Sequence, residues 1–202
     1  FRADAGVAYR TDPAGIVTGE VGEGTLNLPR DYEFTKNLTA HKLKFTCTGP
    51  HMLTKVLTDR FYSDRAKLAM AIAGVLRRQM EAIDASVVQI DEANISGHPE
   101  DREWALEAIN HVLEGIRGTR AVHICFGNYG GQSIQKGFWK DLLPFLNGLK
   151  VNHLVLENPL QGIETCGALE PANRHAAIVF AEAFEQHAAG DSDLVALLSG
   201  EP

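Results

Sequence analysis

The chain is short of the features that mark several large classes of protein. Its 202 residues contain only three cysteines, Cys47, Cys125 and Cys166. Three thiols cannot all pair within one chain, and no signal peptide is visible. A cytoplasmic setting with reduced or metal-bound thiols is therefore expected. The sequence begins at Phe1 rather than Met, which suggests processing, truncation or membership of a larger whole. Basic charge is scarce: 19 Lys and Arg stand against 26 Asp and Glu, for a formal net charge of -7. With no block of basic residues, no nucleic-acid partner is expected, because phosphate binding needs a concentrated positive footprint. The apolar runs are too short and interrupted to span a membrane as helices. No G-x-G-x-x-G opens a helix and no P-loop is present, which removes support for a nucleotide-binding open sheet. Nor is there a repeat, a low-complexity tract or a linker, so one domain over residues 1–202 is expected.

What the chain does have is a succession of apolar, β-branched runs: "GIVTGEV" (15–21), "LKFTCTG" (43–49), "SVVQIDE" (86–92), "AVHICFG" (121–127) and "VNHLVLE" (151–157). Runs this dense in Val and Ile fit strands covered on both faces. Helical patterns lie between them. Ser63 is placed to cap a helix reaching about residue 83, with Leu68, Ile72, Val75, Met80 and Ile83 on one face. A second helix is expected after Pro99, burying Trp104, Ala108, Val112 and Ile116. A third, "FWKDLLPFLNGL", is interrupted by Pro144, and a last one covers 174–189. Strand alternating with helix argues for a parallel α/β sheet with right-handed crossovers. A (β/α)8 TIM-type barrel is favoured over a doubly wound sheet, although the length is below the roughly 250 residues typical of eight units.

Three strands finish in ionisable residues. "VVQI" runs into Asp91 and Glu92, "AVHIC" carries His123 and Cys125, and "HLVL" runs into Glu157. Active sites of α/β folds gather at the C-terminal ends of strands, and an unpaired buried ionisable group costs several kcal/mol. His123 and Cys125 share a strand face because side chains alternate with period two. Imidazole nitrogen and thiolate sulfur are ligands that zinc prefers, and Glu157 could add a carboxylate oxygen, giving three protein ligands and an open position. The competing reading is a packed core pair. Cys47 reads as an inert core thiol and His153 as a hydrogen-bonded core histidine. Gly130 and Gly131 either admit an anionic substrate close to the backbone or simply turn the chain. Ser133 has no base and orienting acid at recognisable spacing, so serine-nucleophile chemistry is unsupported.

"LKFTCTGPHMLTKVL", "SVVQIDEANI", "VHICFGN" and "HLVLE", in this order, resemble the C-terminal catalytic barrel of cobalamin-independent methionine synthase and its shorter relatives. This group lies within the barrel superfamily shared with uroporphyrinogen decarboxylase. "AYRTDPAGIVTGEV" and the helix near "RDYEFTKNLTA" fit earlier segments, so the resemblance covers about residues 9 to 158. It implies a zinc enzyme that transfers a methyl or alkyl group to a small thiol acceptor. His123, Cys125 and Glu157 would be metal ligands, and Asp91 and Glu92 would hold the acceptor. Gly49, Pro50 and His51 would lie near the substrates, as would Asn128 in the loop after the H-x-C strand. A methylated folate is one candidate donor.

Two departures from the family pattern stand out. The usual D-E-P-A reads Asp91-Glu92-Ala93-Asn94, which leaves acceptor recognition open. The family's last zinc cysteine, from a P-D-C-G motif on a late strand, is missing, and Cys166 is the only later cysteine. The last strands are therefore expected to be absent or replaced, so that the barrel is incomplete at its C-terminal end. The alternatives are a metal-free barrel lyase or decarboxylase using Asp91 as its acid, and a non-catalytic or partner-completed barrel subunit.

Overall fold

The computed structural model describes residues 15–129, 132–133, 139–157 and 177–181. Its elements, in order, begin with strand β1 (Gly15–Val17), helix α1 (Leu28–Lys36), β2 (Lys44–Thr48), α2 (Pro50–Val56), β3 (Leu57–Asp59) and α3 (Arg65–Met80). Then come β4 (Val87–Glu92), α4 (Arg102–Leu113), β5 (Thr119–Ile124), β6 (Asn128–Tyr129), β7 (Gln132–Ser133), α5 (Leu143–Gly148), β8 (His153–Glu157) and β9 (Ala177–Ala181). Two single 3-10 turns, Ile95–Gly97 and Pro99–Asp101, lead into α4.

The principal sheet has the order β2-β4-β5-β8-β9, and every neighbouring pair in it is parallel. Each new strand is added at the same edge. The order therefore never reverses, as it must at the switch point of a doubly wound sheet. Among the described residues the sheet is open, with β2 and β9 at its edges. β1 pairs separately with β3 in parallel, and β6 with β7 antiparallel.

The local chemistry explains most boundaries. Asp64, rather than Ser63, caps α3. Its carboxylate accepts the N–H groups of Ala66 and Lys67 at 2.9 and 3.2 Å, and Ser63 sits at φ 52° just before it. Pro144 does not interrupt α5. It lies in the first turn, where its missing N–H costs nothing. The strand expected over 15–21 is shorter, ending at Val17.

The larger correction concerns residues 177–181, where a helix was expected. "AIVFA" is a strand and pairs with β8 from His153↔Ala177 to Glu157↔Ala181. A continuous apolar run with Ile and Val side by side satisfies a strand covered on both faces better than a one-sided helix. The rest of that expected helix lies outside the described residues.

Helices α3 and α4 pack together on one face of the sheet. Leu68, Ile72, Leu76 and Met80 of α3 and Ala108, Ile109, Val112 and Leu113 of α4 are buried in one core with Val88, Ile90, Val122, Ile124, Leu154 and Leu156. Fully burying each larger aliphatic side chain contributes about 1.5–3 kcal/mol, so this layer fixes the strands that carry the site. Among the described residues, no helix is long and apolar enough to cross a membrane.

Candidate functional site

The core takes every second residue of β4, β5 and β8, so the residues between them face the other way. That second face carries Gln89 and Asp91 from β4, His123 from β5 and His153, Val155 and Glu157 from β8, with Cys125 following β5 directly. The register aligns them. Asp91 is level with His123, His123 with Val155, and Ile124 with Leu156, so Cys125 and Glu157 come next on their adjacent chains. Asp91, His123, Cys125 and Glu157 are thus gathered at the C-terminal ends of three neighbouring parallel strands. The side chain of Glu157 lies outside the described residues, as does all of Cys166.

The chain just after β5 wraps Cys125. Its N–H donates to the carbonyl of Glu92 at 3.4 Å, and its carbonyl accepts the Ser96 hydroxyl at 2.7 Å. Its sulfur, in a residue only 6% exposed, accepts the N–H of Gly127 at 3.4 Å. Gly127 adopts φ 66°, a left-handed conformation that glycine takes without strain. His123 is half-buried on the same face. Imidazole nitrogen and cysteine sulfur are donor types that zinc takes.

Glu92 does something different from its neighbour Asp91. It faces the helices, is fully buried, and accepts the N–H of His51 through Oε1 at 2.9 Å and that of Met52 through Oε2 at 2.8 Å. Helix α2 starts with Gly49 at its N-cap, which has no side chain to offer, and Pro50, which has no N–H. Its next two donors are orphans, and the carboxylate of Glu92 satisfies both. The Gly49 N–H reaches back to the carbonyl of Asp91 at 2.8 Å, tying the turn to the strand end. Glu92, expected beside Asp91 at the substrate, is therefore the clamp of α2.

His51, also expected near the substrate, is 0% exposed on the helix side of the sheet. Its Nε2 lies 3.1 Å from Oδ2 of Asp101, and its Nδ1 lies 3.6 Å from Oε2 of Glu92, an ionic approach just beyond hydrogen-bond length. The Lys55 ammonium lies 2.5 Å from the same Asp101 oxygen, and the Trp104 ring is 5.1 Å from the imidazole. Burial alone would lower the basicity of His51, but its contacts with Asp101 and Glu92 outweigh burial and raise it. Burial would likewise raise Asp101, yet the bonds from His51 and Lys55 hold its carboxyl below the usual range. His51, Lys55, Asp101 and Glu92 thus form one buried polar group behind the strand ends. Sequence reasoning missed this group. Its signal was the spacing of His51 and Lys55, four apart and hence on one side of a helix.

Residues 6–126, more than half of the chain, match the family model described as the catalytic domain of cobalamin-independent synthase. The chain belongs to this cobalamin-independent synthase family. Curated relatives include the methionine synthase of Sulfurisphaera tokodaii, 29% identical over 130 residues that cover 62% of this chain and 36% of that protein. The methionine synthase of Saccharolobus islandicus is 26% identical over 153 residues, covering 74% and 42%. The chain thus spans less than half the length of these curated relatives. Its fold is similar, with a TM-score of 0.69 at 23% identity, to a B12-independent methionine synthase of a Shewanella species solved in complex with selenomethionine. That likeness covers 82% of this chain and 51% of the other. Within the synthase match lie Gly49, Pro50, Asp91, His123 and Cys125, while Glu157 falls beyond its end.

The other polar groups separate from this site. Cys47 faces the core layer, and burial, aided by the negative charges of Asp91 and Glu92, pushes its thiol up to about 12. It is no nucleophile at neutral pH. His98, Glu100 and Asp101 bring ligand-type atoms within 4.8 Å of one another on the turns before α4. There Lys55 and His51 already occupy Asp101, so a cation would have to displace an ammonium. Asn128 and Ser133 belong to the β6–β7 hairpin, and their side chains lie outside the described residues, as do Gly130 and Gly131.

Proposed function

We propose that this chain carries the zinc-dependent transfer of a methyl or alkyl group to a thiol acceptor. In this reading its parallel sheet is part of a TIM-type barrel wall. The observation that carries the reading is the register, which sets Asp91 level with His123 and brings Cys125 and Glu157 next on adjacent chains, at three neighbouring strand ends. His123, Cys125 and Glu157 would hold the zinc, with Cys166 or a residue outside this chain as the remaining donor. Bound zinc supplies the Lewis acidity that keeps a thiol deprotonated near neutral pH.

The chain's own residues do the rest. Asp91, half-buried beside His123, offers a carboxylate to the cationic amine of an amino-acid thiol. The Gly49–Pro50 turn, held by the Asp91 carbonyl and the Glu92 carboxylate, sets the wall next to it. Holding two reactants in line is where such a site gains most of its rate. The named relatives are methionine synthases, which favours homocysteine as the acceptor and a methylated folate as the donor. The three-thiol composition favours a cytoplasmic setting.

The test is metal analysis together with a transfer assay on the purified protein. Near-stoichiometric zinc is expected in the wild type, falling sharply in His123→Ala and Cys125→Ser. Zinc content indifferent to both substitutions would refute the reading.

A further inference from the structure

Gln89 lies two residues before Asp91 on β4 and on the same face. It is 7% exposed, and its amide Nε2 donates to Oδ1 of Asp91 at 2.7 Å. An ionised carboxylate only accepts hydrogen bonds, so the amide must turn its NH2 to Asp91 and its carbonyl away. That carbonyl, Oε1, is buried and has no hydrogen-bond partner among the described residues. A buried acceptor left unmade is costly, and a leucine there would avoid the cost. Local chemistry that works against stability in this way is expected where function sets the residue.

We infer that Gln89 is the positioning residue for Asp91 and a determinant of acceptor specificity. This rests on the thiol-transfer reading above. By holding Oδ1, Gln89 fixes the orientation of the carboxylate and leaves Oδ2, which has no hydrogen-bond partner among the described residues, as the single oxygen offered to a ligand. One oriented oxygen suits a primary ammonium, a compact point charge. It does not suit the two-pronged guanidinium, which needs both oxygens. The ligand class is therefore a thiol bearing a primary amine, and Gln89 acts on it only through Asp91.

The experiment compares binding of homocysteine and of its deaminated analogue, 4-sulfanylbutanoate, by calorimetry on the purified zinc-loaded protein, in wild type, Gln89→Leu and Gln89→Glu. The wild type is expected to prefer the amine-bearing thiol. Gln89→Leu should weaken homocysteine about tenfold, the order of a lost hydrogen bond to a charged group, and leave the analogue unchanged. Its urea midpoint should be no lower than wild type, because the orphan carbonyl is gone. Gln89→Glu, which keeps the shape, should lose the same preference at neutral pH and regain part of it under acid conditions, where the introduced carboxyl carries a proton to donate. A wild-type preference that survives in both variants would overturn the role of Gln89 and leave the thiol-transfer reading standing. Equal weakening of both thiols would also overturn it, as a general structural effect. Failure of the wild type to bind either thiol would remove the thiol-transfer reading, and this inference with it.

Discussion

A β-carbon on Gly49 would stand inside the carboxyl group of Glu92. The two residues are forty-three apart in sequence, yet the strand-end carboxylate fits the first turn of α2 only because that position has no side chain. Gly49→Ala should therefore push Glu92 off the His51 and Met52 N–H groups. Overpacking and the lost cap together should cost about 3 kcal/mol. Urea unfolding measures it, with Gly19→Ala, whose added carbon meets nothing within 4 Å, as the near-neutral control.

The two adjacent carboxylates should separate cleanly on mutation. Glu92→Gln keeps the shape but can offer only one acceptor oxygen to two buried N–H groups, and stability should fall by about 1–3 kcal/mol. Asp91→Asn removes charge from a half-buried strand-end position, and its unfolding midpoint should stay close to wild type while affinity for the amine-bearing thiol drops. Paired denaturation and binding measurements on both variants check the division. Equal behaviour in both assays would contradict it.

The sequence announced the strand-end chemistry because ionisable residues closing apolar β-branched runs are rare and need a reason. The strand-end placement of His123, Cys125 and Asp91 was legible on that ground, and period-two alternation put the first two on one face. The same alternation, applied across "QIDE", separates Asp91 from Glu92, but which of the two faces carries the helices is decided by tertiary packing and is invisible locally. Helix α2 was missed because its seven residues lack a capping side chain of their own; the cap comes from β4, forty residues away. Without α2 on the map, His51 read only as a residue near the substrates. The strand at 177–181 was misread because a short apolar run fits a buried helix and a buried strand equally well.

The buried charges around His51 should make stability depend on pH. The His51 imidazole is more basic in the folded chain than in the unfolded one, where it titrates near about 6.5. Its contribution is therefore fully present below that pH and is lost as pH rises through the folded value. Asp101 works the other way. Its folded carboxyl is more acidic than the unfolded value of about 3.9, so its contribution is present above that pH and is lost as pH falls through the folded value. Urea midpoints should decline as pH rises above about 6.5, and His51→Gln should flatten that decline while lowering stability throughout.

Among the described residues two groups bring together side chains of metal-ligand type, and substitution should tell them apart. His98, Glu100 and Asp101 sit close together, but the Lys55 ammonium and the His51 ring already occupy Asp101, and expelling a buried ammonium leaves a charge with no partner. Cys125 directly follows β5 at the strand ends. A backbone N–H points at the sulfur, and His123 stands two positions before it on the same face. Bound zinc, measured by elemental analysis after dialysis, should fall at least tenfold in Cys125→Ser, because hydroxyl oxygen is a far poorer zinc ligand than thiolate. It should be unchanged in His98→Ala and Glu100→Ala. Lys55→Met should leave zinc at the Cys125 site untouched while destabilising the fold by about 3–5 kcal/mol through the stranded carboxylate of Asp101. Zinc lost with His98 and kept without Cys125 would move the metal to the turns before α4 and leave the strand ends without it.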